Sequence, residues 1–421
     1  MKVLISAYAC EPNRGSEPGN GWNWAINVAM LGHEVWCLTC INGKKSIEKE
    51  VASLGLKNIH FEYISTSPLV RLLYKTQPGL YLYYLIWQRL ALKRAKKLCR
   101  IIDFDLVHHV TWGSLQLATP LWRLNLPLIF GPVGGGQMAP TAYKQYFHNG
   151  WFLELQRNYT SKLLTRFNPN VKQTLELAQE VLVTNSDTLT LAKQLGAAAP
   201  TLFLDTNLPS EFIPLNYPER PAGKTLKILW AGRLLARKGL SLVLDALSKV
   251  DSAIDFTLTI LGDGPMRKYI PGWIKKYNLQ GKVHWQGHVP WDKMKEAYLT
   301  HDIFLFCSLR DSSAAQLLEA MAFGLPVITL DLHGARNLVP DGAGIKIPVN
   351  KPELTVSLIS KAIERLYHQH DLRNKLGRSG YKFASGQVWS EKVKLLYSKL
   401  DNQAILPQSK TITPDCLIRK V

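Results

Sequence analysis

Acidic residues are scarce in this chain of 421 residues. Asp and Glu number 32 against 51 for Lys and Arg, so the formal net charge is +19. This balance excludes an acidic solvating tail or a calcium buffer and favours an anionic partner. The deficit is sharpest between Glu62 and Asp103, where eight bases and no acid occur. We therefore expect a basic surface in this segment.

Long apolar runs are also missing. No stretch approaches the ~18 uncharged apolar residues that a membrane-spanning helix needs, so none is predicted. Lys2 and the apolar run Val3–Cys10 imitate the start of a signal peptide, but the run has only eight residues. A buried strand explains this run equally well, and we interpret it as a strand.

Cysteine is infrequent, with six in the whole chain, which is too few for a disulfide framework. Cys37 and Cys40 form a lone C-x-x-C inside a strand-like run, and no second pair follows to complete a zinc site. No D-x-D motif ends a suitable predicted strand. We expect a protein of the reducing cytosol that uses no metal and no cofactor.

The length predicts two domains, or else three, rather than one core. Short strands alternate with helices, which is typical of doubly wound parallel sheets, and the stretch Asp205–Lys224 carries four prolines and little periodicity. The predicted division is an N-terminal Rossmann-like domain (1–205), a linker (206–224), a C-terminal Rossmann-like domain (225–385), a helix returning to the N-terminal domain (386–405) and a tail (406–421). Such domains enclose a cleft, and ligands bind outside the carboxyl ends of the strands.

Glycine loops mark these strand ends. The run Gly15–Gly21 follows the first strand and precedes a helix, where backbone amides and the helix dipole favour an anion. It does not fit G-x-G-x-x-G, which argues against a dinucleotide site. The alternative is a plain strand-to-helix turn. The later run Gly262–Pro265 is by itself a commonplace turn.

Two cations follow the first strand of the second half. Arg233 leaves the strand beside Gly232, and Lys238 stands beside Gly239 at the start of a helix. Cations converging on a helix N-terminus suit a diphosphate. The alternative is a solvated basic turn.

Two carboxylates are eight residues apart in a later loop and the helix that follows it. Asp311 precedes the helix with Ser312 and Ser313, and one of them is expected to cap it. Glu319 lies inside the helix among apolar residues, where a carboxylate needs a partner such as a sugar hydroxyl. A surface glutamate on an amphipathic helix is the alternative.

Two histidines, His108 and His109, end a strand of the first domain. Either one could contact a ligand in the cleft, and a structural role for each is an equal alternative.

These motifs together resemble glycosyltransferase family 4, a retaining family with the GT-B fold. Three motifs occur in that family's order. They are Gly232-Arg233-Leu234 with Lys238-Gly239, then Gly262–Pro265, and then Leu318–Ala322 with Gly324–Ile328. The N-terminal stretch Ala9–Pro12 with Gly15–Gly19 resembles a bacterial branch that synthesises polysaccharides. The resemblance implies two Rossmann-like domains facing each other across a cleft, and a metal-independent, hexosyltransferase-type enzyme.

The resemblance also implies roles for single residues. Arg233 and Lys238 would bind the donor diphosphate, and Glu319 the nucleotide ribose. His109, or else His108, and Asp311 would lie beside the donor sugar. Asp311 replaces the family's usual Glu, and Ser312 and Ser313 replace a glycine-rich stretch. The implied donor-binding set is Gly15, Ser16, Gly262, Gly264, Ser312, Ser313 and Glu319.

The acceptor side is predicted from the run Tyr81–Trp87, whose apolar and aromatic residues are followed by a dense set of bases up to Arg100. Aromatic rings and bases on one helix would dock segment 81–100 on the anionic inner leaflet, where a lipid-linked acceptor would be found. The alternative is a core helix with a solvated basic end, serving a soluble saccharide acceptor. Nucleic acid is not expected, because the bases are dispersed and no recognition motif occurs.

Other functions on the same fold remain open at this point. A nucleotide-sugar epimerase would turn over the donor without an acceptor. A degenerate, non-catalytic subunit would bind nucleotide sugar without transferring it, and the exchange of Glu for Asp311 keeps this interpretation open.

Overall fold

Two parallel β-sheets organise the chain. The structure is a computed structural model that describes residues 1–75 and 77–404. The first sheet has the order β3-β2-β1-β4-β5-β6-β7 and consists of β1 (Lys2–Ala7), β2 (Glu34–Cys40), β3 (Ile59–Ile64), β4 (Leu106–Thr111), β5 (Leu128–Val133), β6 (Glu180–Val183) and β7 (Thr201–Leu202). The second has the order β10-β9-β8-β11-β12-β13 and consists of β8 (Leu226–Ala231), β9 (Phe256–Leu261), β10 (Val283–Gly287), β11 (Ile303–Phe306), β12 (Val327–Leu330) and β13 (Gly344–Ile347).

Helices connect the strands in both halves. Around the first sheet they are α1 (Ser16–Met30), α2 (Lys44–Leu54), α3 (Pro68–Arg71), α4 (Gln77–Leu98), α5 (Gly150–Phe167), α6 (Pro169–Leu177) and α7 (Ser186–Gln194). Later in the chain they are α8 (Leu240–Leu247), α9 (Ile270–Lys276), α10 (Met294–Thr300), α11 (Ala315–Ala322), α12 (His333–Leu338), α13 (Pro352–His368), α14 (His370–Ser385) and α15 (Trp389–Ala404). None of the helices in the described ranges is long and apolar enough to cross a membrane.

The strand order places the ligand-binding edge of each sheet. The strands pair in parallel, and the chain reverses direction across the sheet between β1 and β4, and again between β8 and β11. In doubly wound sheets such a reversal opens a crevice at the carboxyl ends of the strands. The first strand is apolar and buried from Val3 to Ala7, as a strand covered on both faces requires.

One segment of the N-terminal half packs on the second sheet. The segment Ala139–Phe147 precedes β6 of the first sheet, but its buried side chains belong to the core around the second sheet. The hydroxyl of Tyr143 donates to Thr355 Oγ1 at 2.7 Å, and that of Tyr146 donates to Asp245 Oδ2 at 2.7 Å. Residues 1–205 therefore do not pack as one unit.

The last described helix returns from the second sheet to the first. Helix α15 follows the second sheet, but its side chains Trp389, Val393 and Tyr397 lie in the core of the first sheet beside α1. The tail predicted for 406–421 lies outside the described residues.

The proline-rich connection between the sheets is anchored to the second domain. Phe212 is buried and stacks on Trp291 with ring centroids 4.5 Å apart. The buried guanidinium of Arg220 donates to backbone carbonyls that include His301 O (2.7 Å) and Phe323 O (2.7 Å). A buried guanidinium with this many acceptors fixes the linker on the second domain.

The aromatic side chains of helix α4 are not exposed on the protein surface. Tyr83, Tyr84 and Trp87 are buried in the core of the first sheet, with Leu82 exposed. The expectation that these rings lie at the level of lipid headgroups is wrong, because helix α4 turns its aromatic side towards the sheet. The bases that follow, such as Lys93 and Lys97, are exposed.

Candidate active site

A cavity of about 1010 Å³ lies at the carboxyl ends of both sheets and is lined by residues from both halves of the chain. Nine of the residues predicted from sequence line it: Gly15, Ser16, Arg233, Lys238, Gly262, Asp311, Ser312, Ser313 and Glu319. Gly264, His108 and His109 are not among its lining residues. The cavity has the volume of a large ligand site.

The loops that follow β8 and β11 are locked together at the switch point of the second sheet. Gly239 has φ +70°, and a Cβ there would lie 2.0 Å from Cys307 O. The amide of Leu309 donates to Arg237 O at 2.8 Å, and the guanidinium of Arg237 donates to Arg310 O at 2.8 Å. Only glycine permits this close approach, which fixes Lys238 and Asp311 next to each other.

Lys238 and Asp311 form a buried ion pair on the cavity wall. Arg237 Nη1 approaches the other oxygen of Asp311 at 3.6 Å. Burial raises the pKa of the Asp311 carboxyl, but the nearby cations Lys238 and Arg237 outweigh it, so the pKa lies below its usual value. Burial lowers the pKa of Lys238, and Asp311 partly opposes this. In the unliganded protein, Asp311 is therefore a partner of Lys238 rather than a free acceptor for a sugar.

Arg233 differs from Lys238 because it is exposed to the cavity. Within the described ranges it forms no ion pair and no side-chain hydrogen bond. A guanidinium held at the end of a strand without a carboxylate partner remains available to an anionic ligand.

Glu319 is buried but already has partners. Its two oxygens accept a hydrogen bond from Trp291 Nε1 at 3.0 Å and one from the Tyr298 hydroxyl at 2.7 Å. Burial raises the pKa of Glu319, while these two hydrogen bonds lower it. The premise that this carboxylate needs a sugar hydroxyl to be satisfied is wrong, since an indole and a phenol satisfy it.

Helix α11 begins without a side-chain cap. Its N-cap is Ala314, at φ +56°, and no side chain accepts from the first turn. The expectation that Asp311 or a serine caps this helix is wrong. The loop is instead held from the first domain, since Asn185 Nδ2 donates to Ser312 O at 3.1 Å.

The predicted glycines fall into two groups. Gly15 has φ −82°, and a Cβ there would meet nothing within 4 Å, so its small size leaves space in the cavity. Gly262 has φ +138°, and its Cβ would lie 1.9 Å from Gly232 O. At Gly264, which is off the cavity wall, the Cβ would lie 2.6 Å from Leu234 O. Gly264 packs one loop on another and does not line the cavity, so its contact with the donor stays a prediction.

This difference predicts opposite results for two alanine variants. Gly262→Ala should lower the free energy of unfolding by about 2–5 kcal/mol, because strain adds to a backbone clash. Gly15→Ala should change it by less than about 0.5 kcal/mol, because the added methyl group would meet nothing within 4 Å. Chemical denaturation measures the two effects. Equal stability of both variants would contradict the assignment.

The two histidines lie inside the first domain. His108 bonds to the Tyr397 hydroxyl through Nδ1 (3.0 Å) and to Gly131 O through Nε2 (2.9 Å). His109 Nε2 lies 3.3 Å from Trp112 O. Burial is the main cause that lowers the pKa of each to about 4, so both rings are neutral at physiological pH. Core packing encloses both rings and neither lines the cavity, so the contact of His109 or His108 with the donor sugar stays a prediction.

Sequence reasoning gave no role to several acidic residues of the cavity, and two of them, Glu17 and Asp205, have raised pKa values. Glu17 accepts from Gly113 N at 3.2 Å, and burial raises the pKa of Glu17 to about 8. Burial likewise raises the pKa of Asp205 to about 6, while the Ser313 hydroxyl opposes the shift. The position of Glu17 directly after Gly15 and Ser16 was the available signal. The described part of the chain contains no group of three or more metal-ligating side chains.

Solved structures resemble this arrangement over nearly the whole chain. Sucrose-phosphate synthase from Thermosynechococcus elongatus superposes with a TM-score of 0.69 at 18% identity, covering 96% of this chain and 99% of that one. HepE from Anabaena, solved in complex with UDP and glucose, superposes with a TM-score of 0.63 at 14% identity over 96% and 100%. The glycosyltransferase WaaG gives a TM-score of 0.61 at 16% identity over 94% and 99%.

The fold is GT-B. This confirms the predicted pair of Rossmann-like domains. The family described as Glycosyl transferases group 1 matches residues 217–383, which include Arg233, Lys238, Asp311 and Glu319.

Curated relatives match part of the chain. The GPI3 component of the phosphatidylinositol N-acetylglucosaminyltransferase of Saccharomyces cerevisiae is 28% identical over 155 residues, covering 35% of this chain and 34% of that protein. CapJ of Staphylococcus aureus is 26% identical over 189 residues, covering 44% and 48%. The chain thus spans less than half the length of these relatives.

Proposed function

We propose that the protein is a retaining, metal-independent glycosyltransferase of hexosyltransferase type. It moves a sugar from a nucleoside-diphosphate donor to an acceptor hydroxyl, in the synthesis of a cell-surface polysaccharide or glycolipid. The proposed enzyme works without a cofactor, since the nucleotide sugar is itself a substrate.

One observation carries the proposal. Arg233 has no carboxylate partner in the described part of the chain and lies on the cavity wall near Lys238, at the switch point of the second sheet. A diphosphate placed there would meet a free guanidinium and an ammonium whose charge Asp311 only partly balances. Cations at this position stabilise the charge that develops on the departing nucleotide, which is the main demand of this reaction.

The rest of the wall fits a nucleotide sugar. Helix α11 offers uncapped amides to the phosphate beside Ser312 and Ser313, and Gly15 leaves room for it. Glu319 would take the ribose by exchanging a hydrogen bond from Trp291 or Tyr298. The acceptor oxygen would bond to the anomeric carbon of the donor sugar as the bond from that carbon to the diphosphate breaks. The acceptor hydroxyl would give its proton to the leaving phosphate, and no enzyme nucleophile takes part in this proposal.

The donor class is tested by acceptor-free turnover of UDP-, GDP- and ADP-sugars, measured as released nucleotide. Because HepE was solved with UDP and with UDP-glucose, UDP-sugars are the first probes. We expect slow release from one nucleotide class. Epimerised donor without release would favour an epimerase, and binding without turnover would favour a non-catalytic protein. Either outcome would contradict the proposed transfer.

The proposed setting is the cytoplasm, with docking on the anionic inner face of the membrane and a lipid-linked acceptor. The aromatic rings of α4 are buried, so helix α5 supplies the apolar part of the surface in this proposal. Phe152, Tyr159 and Phe167 are exposed by 66–73% along α5. Its one acid, Glu154, is buried against Arg310, whereas Lys162 and Arg166 are exposed. Apolar and basic groups without acids complement an anionic lipid surface.

The expected result is sedimentation with anionic vesicles at low salt and its loss at high salt, because salt screens exposed charges within ~10 Å at 0.1 M. Lys93→Glu/Lys97→Glu and Phe152→Ser/Tyr159→Ser should each abolish sedimentation and leave nucleotide binding intact. Lys45→Glu/Lys49→Glu, an equal change of net charge on α2, should not. Wild-type protein that stays in the supernatant would indicate a soluble acceptor.

A further inference from the structure

Glu17 is a carboxyl group of the cavity wall with no role in the proposed donor site. It lies in the first turn of α1, and its two oxygens are 3.2 Å and 3.4 Å from Gly113 N. Gly113 follows β4, so this contact joins the loops that leave β1 and β4. Glu17 is thereby fixed at the switch point of the first sheet, across the cleft from the loops that carry Arg233 and Lys238.

The neighbouring acid Asp205 is already occupied. It accepts from the Thr206 hydroxyl at 3.3 Å and from the Ser313 hydroxyl. In the described ranges, Gly113 N is the hydrogen-bond partner of Glu17, and a carboxyl group has capacity for more than one. Glu17 therefore keeps hydrogen-bonding capacity for a ligand in the cavity.

Burial sets the charge of Glu17. It raises the pKa of this carboxyl to about 8; the amide of Gly113 opposes the shift and the nearby Asp205 adds to it. Near neutral pH the group is mainly a neutral acid, which does not repel a diphosphate and can both donate and accept a hydrogen bond. Charged or titratable groups that line the cavity or interact with Glu17 are Arg14, Glu50, Tyr84, Asp205, Glu211, Arg233, Arg237, Lys238, Asp263, His288, Tyr298, Asp311 and Glu319.

We propose that Glu17 binds the acceptor, hydrogen-bonding a sugar hydroxyl of the incoming saccharide from the N-terminal wall of the cleft. This rests on the proposed glycosyl transfer. The wall around Glu17 suits a sugar, since Trp22 and the amides of Asn20 and Asn23 also line the cavity. Glu17 moves no proton in this scheme, because the proton of the acceptor hydroxyl passes to the leaving phosphate.

The test compares Glu17→Ala with Glu17→Gln, whose amide mimics the neutral acid. Acceptor-dependent transfer and acceptor-free donor hydrolysis are measured on the same preparations. Glu17→Ala should raise the acceptor KM about 10-fold, as expected for one lost hydrogen bond, and leave donor hydrolysis within about 2-fold. Glu17→Gln should transfer at close to the wild-type rate. Glu11→Gln, on the loop that precedes α1 and outside the cavity lining, is the matched control.

The pH profile distinguishes this role from a structural one. In the wild type, kcat/KM for the acceptor should fall as pH rises through about 8, because Glu17 then loses the proton that it donates to the sugar hydroxyl. In Glu17→Gln this alkaline decline should vanish.

Three results would overturn the assignment. The first is an equal loss of acceptor-dependent transfer in Glu17→Gln and Glu17→Ala. The second is a rate of donor hydrolysis that falls together with transfer in Glu17→Ala. The third is an unchanged acceptor KM in Glu17→Ala. A wild type that neither hydrolyses nor transfers any donor would overturn the proposed function, and this assignment with it.

Discussion

Lys238→Met is expected to lower both stability and activity. The ion pair with Asp311 leaves the two side chains 7% and 14% exposed, so removing Lys238 takes away the closest cation of a buried carboxylate and leaves Arg237 and Arg310 as its neighbours. Breaking a buried pair in this way costs about 3–5 kcal/mol of the free energy of unfolding. The buried ion pair is the reason for this expected loss of stability. Urea denaturation measures the effect.

A double variant separates stability from function. Lys238→Met/Asp311→Asn removes both charges, so most of the lost stability should return while transfer stays impaired, since the donor phosphate has still lost a cation. A double variant as unstable as the single one would show that the pair is not the cause. Recovered transfer would remove Lys238 from the donor site.

Arg233→Ala is expected to slow transfer about 10- to 150-fold, which corresponds to one charged hydrogen bond of about 1.5–3 kcal/mol. Stability should be nearly unchanged, because Arg233 is exposed and has no ion-pair partner in the described ranges. Steady-state kinetics and a thermal melt measure the two quantities.

Arg336→Ala is the matched control for Arg233→Ala. Arg336 is also exposed, but it pairs with Asp331 at 3.0 Å and is not a cavity residue. Arg336→Ala should change neither the rate of transfer nor the thermal stability. Full activity of Arg233→Ala would contradict the diphosphate assignment.

Much of the architecture was predictable because it depends on local patterns. Apolar runs such as Val3–Ala7, followed by glycine loops and helices, indicate parallel strands with ligand loops at their carboxyl ends. The order of the strands then brings Arg233 and Asp311 to one crevice, as the motif spacing implied.

The errors concern contacts between residues far apart in the chain. The sequence around His108 does not indicate that the hydroxyl of Tyr397, 289 residues later, hydrogen-bonds the imidazole ring of His108. Nothing near Glu319 indicates Trp291 and Tyr298 as its partners. The aromatic rings of α4 were misplaced because a helical pattern shows which side is apolar but not what covers it.

The packing of one segment of the N-terminal half was missed for a similar reason. The segment Ala139–Phe147 has no regular apolar period that would connect it to either sheet, and its membership of the second core depends on tertiary packing. Glu17 was overlooked because the predicted anion site was assigned to the glycine and serine before it.

Calorimetric titration with nucleoside diphosphates tests the central claim most directly. If the cavity is a donor site, UDP or another nucleoside diphosphate should bind with one-to-one stoichiometry. Its affinity should exceed that of the matching monophosphate, and this advantage should shrink at least about 10-fold in Arg233→Ala. No binding by any nucleoside diphosphate, or an equal affinity for mono- and diphosphates in wild type and variant, would contradict the assignment of the cleft.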